Sequence, residues 1–402
     1  MSPSRKRNRN SEQPLEASPA SLGYRMPAEW EPHAATWLAW PHYQGDWPGK
    51  FEPIPWVYAE IIRNLAKRER IELIVNDSAA ARQAWRVLER ADAWSANIRL
   101  HRWPTNRIWL RDSGCIFLTH NESHSQKDHV GPGLRPGWAE RASAALSLKF
   151  RFNAWAKYSN WRHDEKLGSL MAQVNDPTLL RTKRARRVGH PDSHPREIRP
   201  VSNGERIVLE GGSIDVNGAG TILTTEECLL SKVQERNPHM SRVHYEKAFA
   251  DYLGAPHTIW LGRGIVGDDT HGHVDDLTRF VAQGTVVTMV EPNSKDANHE
   301  PLRANLRRLQ SARDQDGRQL TVVELPMPQP VVFEGRRLPA SYANFYIANG
   351  VVLAPVFNRP NDRIALNTLA ELFPAREIVP IYSGDFIWGL GAMHCMTQQQ
   401  PA

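Results

Sequence analysis

The hydrophobic pattern of the second half of the chain repeats. Val216–Leu223, Val281–Thr288 and Ile347–Leu353 each read as a β run, a tight glycine turn and a second β run, the signature of a hairpin. The turn glycines Gly218, Gly284 and Gly350 are spaced 66 residues apart, twice. A segment of helical period follows each hairpin, at roughly 241–253, 300–312 and 362–373. A short strand follows each helix, at His257–Leu261, Leu320–Leu325 and Glu377–Ile381. The unit is therefore strand–strand–helix–strand. Looser copies lie upstream: a helix Trp56–Arg68 leads to a strand Arg70–Val75, and a strand Leu146–Ala154 precedes a helix Asp164–Val174. Five helices in this role predict five α/β units. One such unit cannot bury its apolar face alone, so the units are expected to pack around an axis.

The rest of the pattern is polar. Residues 1–22, rich in Ser, Arg, Asn and Pro, are expected to be a disordered basic tail. Residues 120–138 read as a loop and 181–206 as a long exposed insert, with one domain over 24–399. Among 402 residues, 41% are hydrophobic and 23% charged, the balance of a globular protein. No apolar run approaches the roughly 18 residues of a membrane span, and none follows the basic N-terminus as in a signal peptide. Three cysteines, Cys115, Cys228 and Cys395, make a disulfide framework improbable and a cytoplasmic location the expectation.

The net charge of +6 is concentrated in two places. Residues 1–10 carry +4 and residues 181–200 carry +5, which leaves the remainder at −3. A weakly acidic body suits a small cationic substrate better than nucleic acid.

Reactive side chains recur at one place in the repeat, after a unit's last strand and before the next hairpin. Trp109-Leu-Arg-Asp112, Leu209-Glu-Gly-Gly212, Asp268-Asp-Thr-His-Gly-His-Val-Asp275, Tyr342-Ala-Asn344 and Gly389-Leu-Gly-Ala-Met-His-Cys395 occupy these positions. Units arranged about an axis bring them to one pocket. Carboxylates grip the paired N–H groups of a guanidinium, and a thiolate is the side chain best able to attack its weakly electrophilic carbon. A histidine can protonate the leaving amine, and a carboxylate behind it fixes its orientation. If this stretch is a strand, His273 and Asp275, two apart, share one side of it. Cys115 and Cys228, in β or amphipathic runs, are read as core. His257 and His394 are read as structural.

The same residues resemble the agmatine deiminase family, itself similar to bacterial peptidylarginine deiminases. The resemblance is carried by Met26-Pro-Ala-Glu-Trp-Glu-Pro-His33, Trp109-Leu-Arg-Asp-Ser-Gly114, Phe152-Asn-Ala-Trp155, Leu209-Glu-Gly-Gly-Ser-Ile214, Leu223-Thr-Thr-Glu-Glu-Cys-Leu-Leu230, Gly272-His-Val-Asp275, Ser341–Gly350 and His394-Cys-Met-Thr-Gln-Gln399, in family order over about 24–399. It implies a five-unit (ββαβ-type) α/β propeller with the active site on its axis. It implies Cys395 as nucleophile, His273 as acid and base, and Glu210 as support for His273. Asp112 and Asp275 would hold the guanidinium, with Trp109 and Asn344 also lining the substrate site. The implied activity is hydrolysis of agmatine to N-carbamoylputrescine and ammonia, in putrescine and polyamine biosynthesis, with no metal or organic cofactor. Leu390 and Ala392 stand where the family has Gly and Asn, a departure that bears on the substrate.

Three other readings remain. A deiminase of peptidyl arginine or another guanidino compound keeps the chemistry and changes the substrate. A metal hydrolase would use the His271-Gly-His273-Val-Asp275 spacing. A nucleic-acid binder would use Arg5–Arg9 and Arg181–Arg187, which lack interleaved aromatics. Homo-oligomerisation is compatible with the sequence.

Overall fold

The computed structural model describes residues 17–120, 146–175 and 197–402. Among them lie five sheets of three or four strands, plus two small two-stranded hairpins. In each of the five, an antiparallel pair is followed by a helix and a third strand parallel to the second. The clearest sequence repeats give Asp215–Val216, Thr221–Thr225 and His257–Leu261; Thr278–Ala282, Thr285–Val290 and Thr321–Pro326; and Tyr346–Ala348, Val351–Val356 and Glu377–Tyr382. Their helices are Arg242–Leu253, His299–Ser311 and Asn361–Leu372.

The blurred upstream copies are blurred for identifiable reasons. One takes its first strand, Gln398–Pro401, from the opposite end of the chain and pairs it with His33–Ala39. Its helix, Ile54–Leu65, leads to Arg70–Val75, and a further helix, Ser78–Arg90, adds a parallel strand Ile98–Arg102. The other contains Ile116–His120, Leu146–Leu148 and Glu197–Ile198, with Tyr24–Arg25 on its outer edge.

Local chemistry sets the element boundaries. The helix Ile54–Leu65 starts two residues earlier than its hydrophobic period predicts, because Pro55 fits the first helical turn, where no N–H is needed. Its residues Ile54, Tyr58, Ile61, Ile62 and Leu65 are buried on one stripe. Gly218 and Gly350 have φ of +70° and +69°, as their tight turns require. The expected strand Leu146–Ala154 ends at Leu148; beyond it Arg151 makes an isolated bridge to Val208, and Ala154, Trp155 and Ala156 are all left-handed, with φ of 52°, 58° and 52°. The expected insert 181–206 is corrected over its last part. Glu197–Ile198 completes a sheet, and Val201–Ser202 with Glu205–Arg206 forms a hairpin. Residues 181–196 and the loop over 121–138 lie outside the described residues. So do residues 1–16 of the expected tail, whereas Ala20–Leu22 forms a helical turn closed by Gly23.

One feature of this architecture positions the site. The inner antiparallel strand of every sheet is entered from a short turn. Leu110–Ser113 precedes Ile116–His120, Gly211–Ser213 precedes Asp215–Val216, and Val274–Asp276 precedes Thr278–Ala282. Asn344 precedes Tyr346–Ala348, and Met393–Met396 precedes Gln398–Pro401. Leu110–Ser113 packs against both Met393–Met396 and Gly211–Ser213, which in turn packs against Val274–Asp276.

Candidate active site

Those turns bring together every residue singled out from the sequence. Cys395 is buried at 6% exposure, and its Sγ lies 3.0 Å from Asn344 Nδ2 and 3.6 Å from Asp275 Oδ2. Asn344 holds the cysteine on two sides. Its Oδ1 accepts the backbone N–H of His394 at 3.1 Å, and its Nδ2 also donates to Asp276 Oδ1 at 3.0 Å. Its contact is thus with the thiol itself.

His273 is fully buried. Its Nδ1 is 4.0 Å from Asp112 Oδ1 and 3.9 Å from Asp275 Oδ1, and its Nε2 is 3.9 Å from Glu210 Oε2. Neither ring nitrogen, nor Asp275 Oδ1, nor Glu210 Oε2 has a hydrogen-bond partner. Buried polar atoms are seldom left so. Four unpartnered atoms facing one another mark a place built for a polar ligand.

Gly212 forms the floor of that place. A Cβ there would lie 2.6 Å from His273 Nδ1, 2.9 Å from Asp275 Oδ2 and 3.0 Å from Asp112 Oδ1. Only a residue without a side chain lets the backbone approach these three groups so closely, and the Gly212 N–H donates to Asp112 Oδ1 at 3.0 Å. Asp112 Oδ2 accepts from the Trp155 indole at 2.8 Å, which explains the left-handed turn at 154–156.

A cavity of about 130 Å³ opens outward from Cys395, Asp112 and Trp109. Its wall includes Trp155, Tyr158 and Leu390. Leu390 has φ of +70°, a conformation that favours glycine.

The electrostatics follow from burial and crowded carboxylates. Burial, then Asp275, Asp276 and Asp112, pushes the Cys395 thiol well above its ordinary range. Burial, with the neighbouring Asp275 and Glu210, also raises Asp112 to about 6 although His273 opposes it. Burial alone would lower His273, but the Asp112 charge and the nearby Cys228 and Glu210 raise it well above normal. Burial would raise Glu210, yet Arg236 and His273 bring it down to about 2. The site is thus an anionic cup around an imidazolium and a protonated thiol.

Behind it lies a charged layer that the sequence reading did not identify. His394 donates from Nδ1 to Asp275 Oδ2 at 2.7 Å, and its Nε2 lies 2.9 Å from Glu29 Oε2. Glu29 also meets Arg111 at 3.0 Å and Arg279 at 2.9 Å. Arg236 lies 3.2 Å from Glu210. Glu29 and Arg111 lie within motifs quoted from the sequence, but neither they nor Arg236 and Arg279 were given a role there. Cys228 is buried, and its thiol faces His273.

Among the described residues, two trios have ligand atoms within 4.8 Å of one another: Glu210, Cys228 and His273, and Asp275, Asp276 and Cys395. Neither uses the His-x-His-x-Asp spacing. His271 instead contacts Ser231 at 3.0 Å, and Asp268 accepts backbone N–H groups of Thr270 and Gly272.

Fold and site together define an α/β protein of repeated ββαβ units with a thiol, an imidazole and carboxylates where its turns meet. A model of the Porphyromonas-type peptidyl-arginine deiminase family matches residues 25–401. The agmatine deiminase of Pseudomonas aeruginosa (strain UCBPP-PA14) is 32% identical over 409 residues, covering 96% of this chain and 98% of that protein. That of Stutzerimonas stutzeri is 32% identical over 411 residues, with the same coverage. Among solved structures, the agmatine deiminase of Enterococcus faecalis superposes with a TM-score of 0.79 at 27% identity, covering 96% of this chain and 98% of that one. An agmatine deiminase of C. jejuni with substrate bound gives 0.74 at 25%, covering 94% and 96%. The chain belongs to the Porphyromonas-type peptidyl-arginine deiminase family.

Proposed function

We propose that this protein is an agmatine deiminase, a hydrolase of the C–N bond in linear amidines that converts agmatine and water to N-carbamoylputrescine and ammonia. The observation that carries the reading is the buried cluster of Cys395, His273, Asp275, Glu210 and Asp112, with Cys395 and Asp112 facing the cavity. Its unpartnered carboxylate oxygens on Asp275 and Glu210 suit a planar cation with N–H groups on every edge.

In this reading Asp112 and Asp275 hold the guanidinium. The bound cation offsets the carboxylates that keep the Cys395 thiol protonated, so the thiolate forms as substrate binds, its proton passing to solvent and being regained when the product leaves. Sulfur attacks the guanidino carbon. The protonated His273 gives its proton to the departing nitrogen, and ammonia leaves a thiouronium on Cys395. His273, now neutral, takes a proton from water as the water adds to the same carbon. Collapse breaks the C–S bond and frees the ureido product. Glu210, held by Arg236, keeps the His273 ring in place, and Asn344 holds the thiol.

The five sheets and the packing of their turns support closure of the units into a propeller with this pocket on its axis, as one catalytic domain over 24–399. No helix among the described residues is long and apolar enough to cross a membrane. The reading places the enzyme in the cytoplasm, in polyamine synthesis.

The test is ammonia and ureido product from agmatine, arginine and a peptidyl arginine, with and without prior iodoacetamide. Product from agmatine that alkylation abolishes is expected. Product from an arginine compound alone would replace the substrate, and turnover insensitive to alkylation would overturn the mechanism.

A further inference from the structure

The cavity has a second charged end. Asp46 lies in its wall with a side chain only 1% exposed. Its Oδ1 is taken by Arg107, whereas its Oδ2 is buried without a hydrogen-bond partner. The other carboxylates of this wall are used up. Asp269 binds Lys157 through one oxygen and accepts the Tyr158 hydroxyl at 2.5 Å through the other, with Arg336 at 3.8 Å. Asp164, behind Arg107, accepts the backbone N–H groups of Asn106 at 2.6 Å and Arg107 at 3.2 Å. Of the cations, Arg107 stacks over Tyr158 at 4.2 Å with its Nε unpartnered, and the half-exposed Arg336 stands at the rim.

Trp109 links Asp46 to the thiol. The six-membered part of its indole packs at Gly391, beside the Cys395 Cβ, while its ring N–H lies on the Asp46 side without closing a hydrogen bond to Oδ2. Asp46, Trp109, Asp112 and Cys395 line the same cavity, with the indole between the carboxyl and the thiol.

We propose that Asp46 Oδ2 is the subsite for a primary ammonium at the far end of the substrate, so that the cavity selects guanidino compounds carrying a second cation. The inference rests on the guanidino-hydrolase reading of the same cavity. Burial, against the opposing pull of Arg107, raises the Asp46 carboxyl to about 7. A bound ammonium supplies the partner that burial has denied it.

The experiment compares agmatine with pentylguanidine, in which a methyl replaces the ammonium. Binding is measured by calorimetry on Cys395→Ala, so that ligand is not consumed, with and without Asp46→Asn. Turnover by the wild-type chain is measured separately. The expected result is about 10²-fold tighter binding of agmatine than of pentylguanidine. Asp46→Asn should remove most of that preference and leave pentylguanidine within about threefold. Asn keeps the size and one oxygen for Arg107, and pentylguanidine reports on the intact cavity. A preference below about threefold with Asp46 in place overturns the proposal without needing the Asn variant. Equal loss of both ligands in Asp46→Asn also overturns it. Wild-type hydrolysis of agmatine with no such preference would leave the function standing and remove the subsite. Asp46-dependent binding of agmatine without hydrolysis would do the opposite.

Discussion

Replacing His394 probes how the site keeps its charge in place. Its two ring nitrogens serve two carboxylates, Asp275 at 2.7 Å and Glu29 at 2.9 Å. The one ring thus ties the two carboxylates together. Burial pushes both carboxyls up, but their cationic partners win. Arg279, His394 and Arg111 hold Glu29 well below its ordinary value, and His394, His273 and Arg279 hold Asp275 down. His394→Leu removes both contacts. Breaking a buried ion pair from one side costs about 3–5 kcal/mol. Glu29 keeps Arg111 and Arg279, so the lower end, about 3 kcal/mol, is expected. A domain stable by roughly 5–15 kcal/mol survives that loss. At the site, Asp275 is freed to move, and a displacement near 1 Å lowers kcat/KM by about 10²-fold. The assay is ammonia release against pH, beside urea unfolding at pH 7 and at successive pH values below 3.8. Because Asp275 is depressed in the fold, its ionisation stabilises above its unfolded pKa, and that contribution fades as pH falls through the lowered value. The stability deficit of the variant should therefore shrink in acid, while the acid limb of its kcat/KM moves to higher pH. His394→Gln, with two N–H donors, should recover part of both. A folded His394→Leu enzyme with wild-type kcat/KM and an unmoved acid limb would refute the reasoning.

Other consequences concern single groups. Gly212→Ala should abolish turnover and keep the fold, since φ there is ordinary and its Cβ would force the His273, Asp275 and Asp112 side chains to shift; ammonia release and thermal unfolding check both. A cationic haloacetamidine should alkylate Cys395 faster than the neutral haloacetamide at pH 7, because only the former offsets the acids that raise the thiol; mass spectrometry of the adduct gives the rates. Glu210 is lowered to about 2 from 4.5, so its ionisation stabilises the fold above pH 4.5 and the benefit is lost towards pH 2. That loss amounts to about 3 kcal/mol and should disappear in Glu210→Gln, as read by unfolding against pH. Leu390→Gly should relieve about 1 kcal/mol of left-handed strain, seen as a higher unfolding midpoint.

Much of the α/β order was written in the chain. Period-2 and period-3.6 patterns punctuated by Gly218, Gly284 and Gly350 specify strand, strand, helix and strand wherever a unit is contiguous, because these are local choices of backbone and burial. The recurrence of Asp112, Glu210, Asp275, Asn344 and Cys395 ahead of each inner strand was legible for the same reason. The tertiary structure alone decided the rest. The unit that borrows Gln398–Pro401 to pair with His33–Ala39 joins residues over 350 apart, and no local pattern encodes that hydrogen bonding. Segment 197–206 looks like loop by composition, yet its short strands gain their energy from partners at 146–148 and within their own hairpin. His394 read as structural and Glu29 as one acid among many. Their meaning depends on distances of 2.7 and 2.9 Å to partners far along the chain. Sequence sets which groups are available and which local shape carries them. Charge acquires its chemical role only when folding removes the water around it and fixes which opposite charge remains within reach.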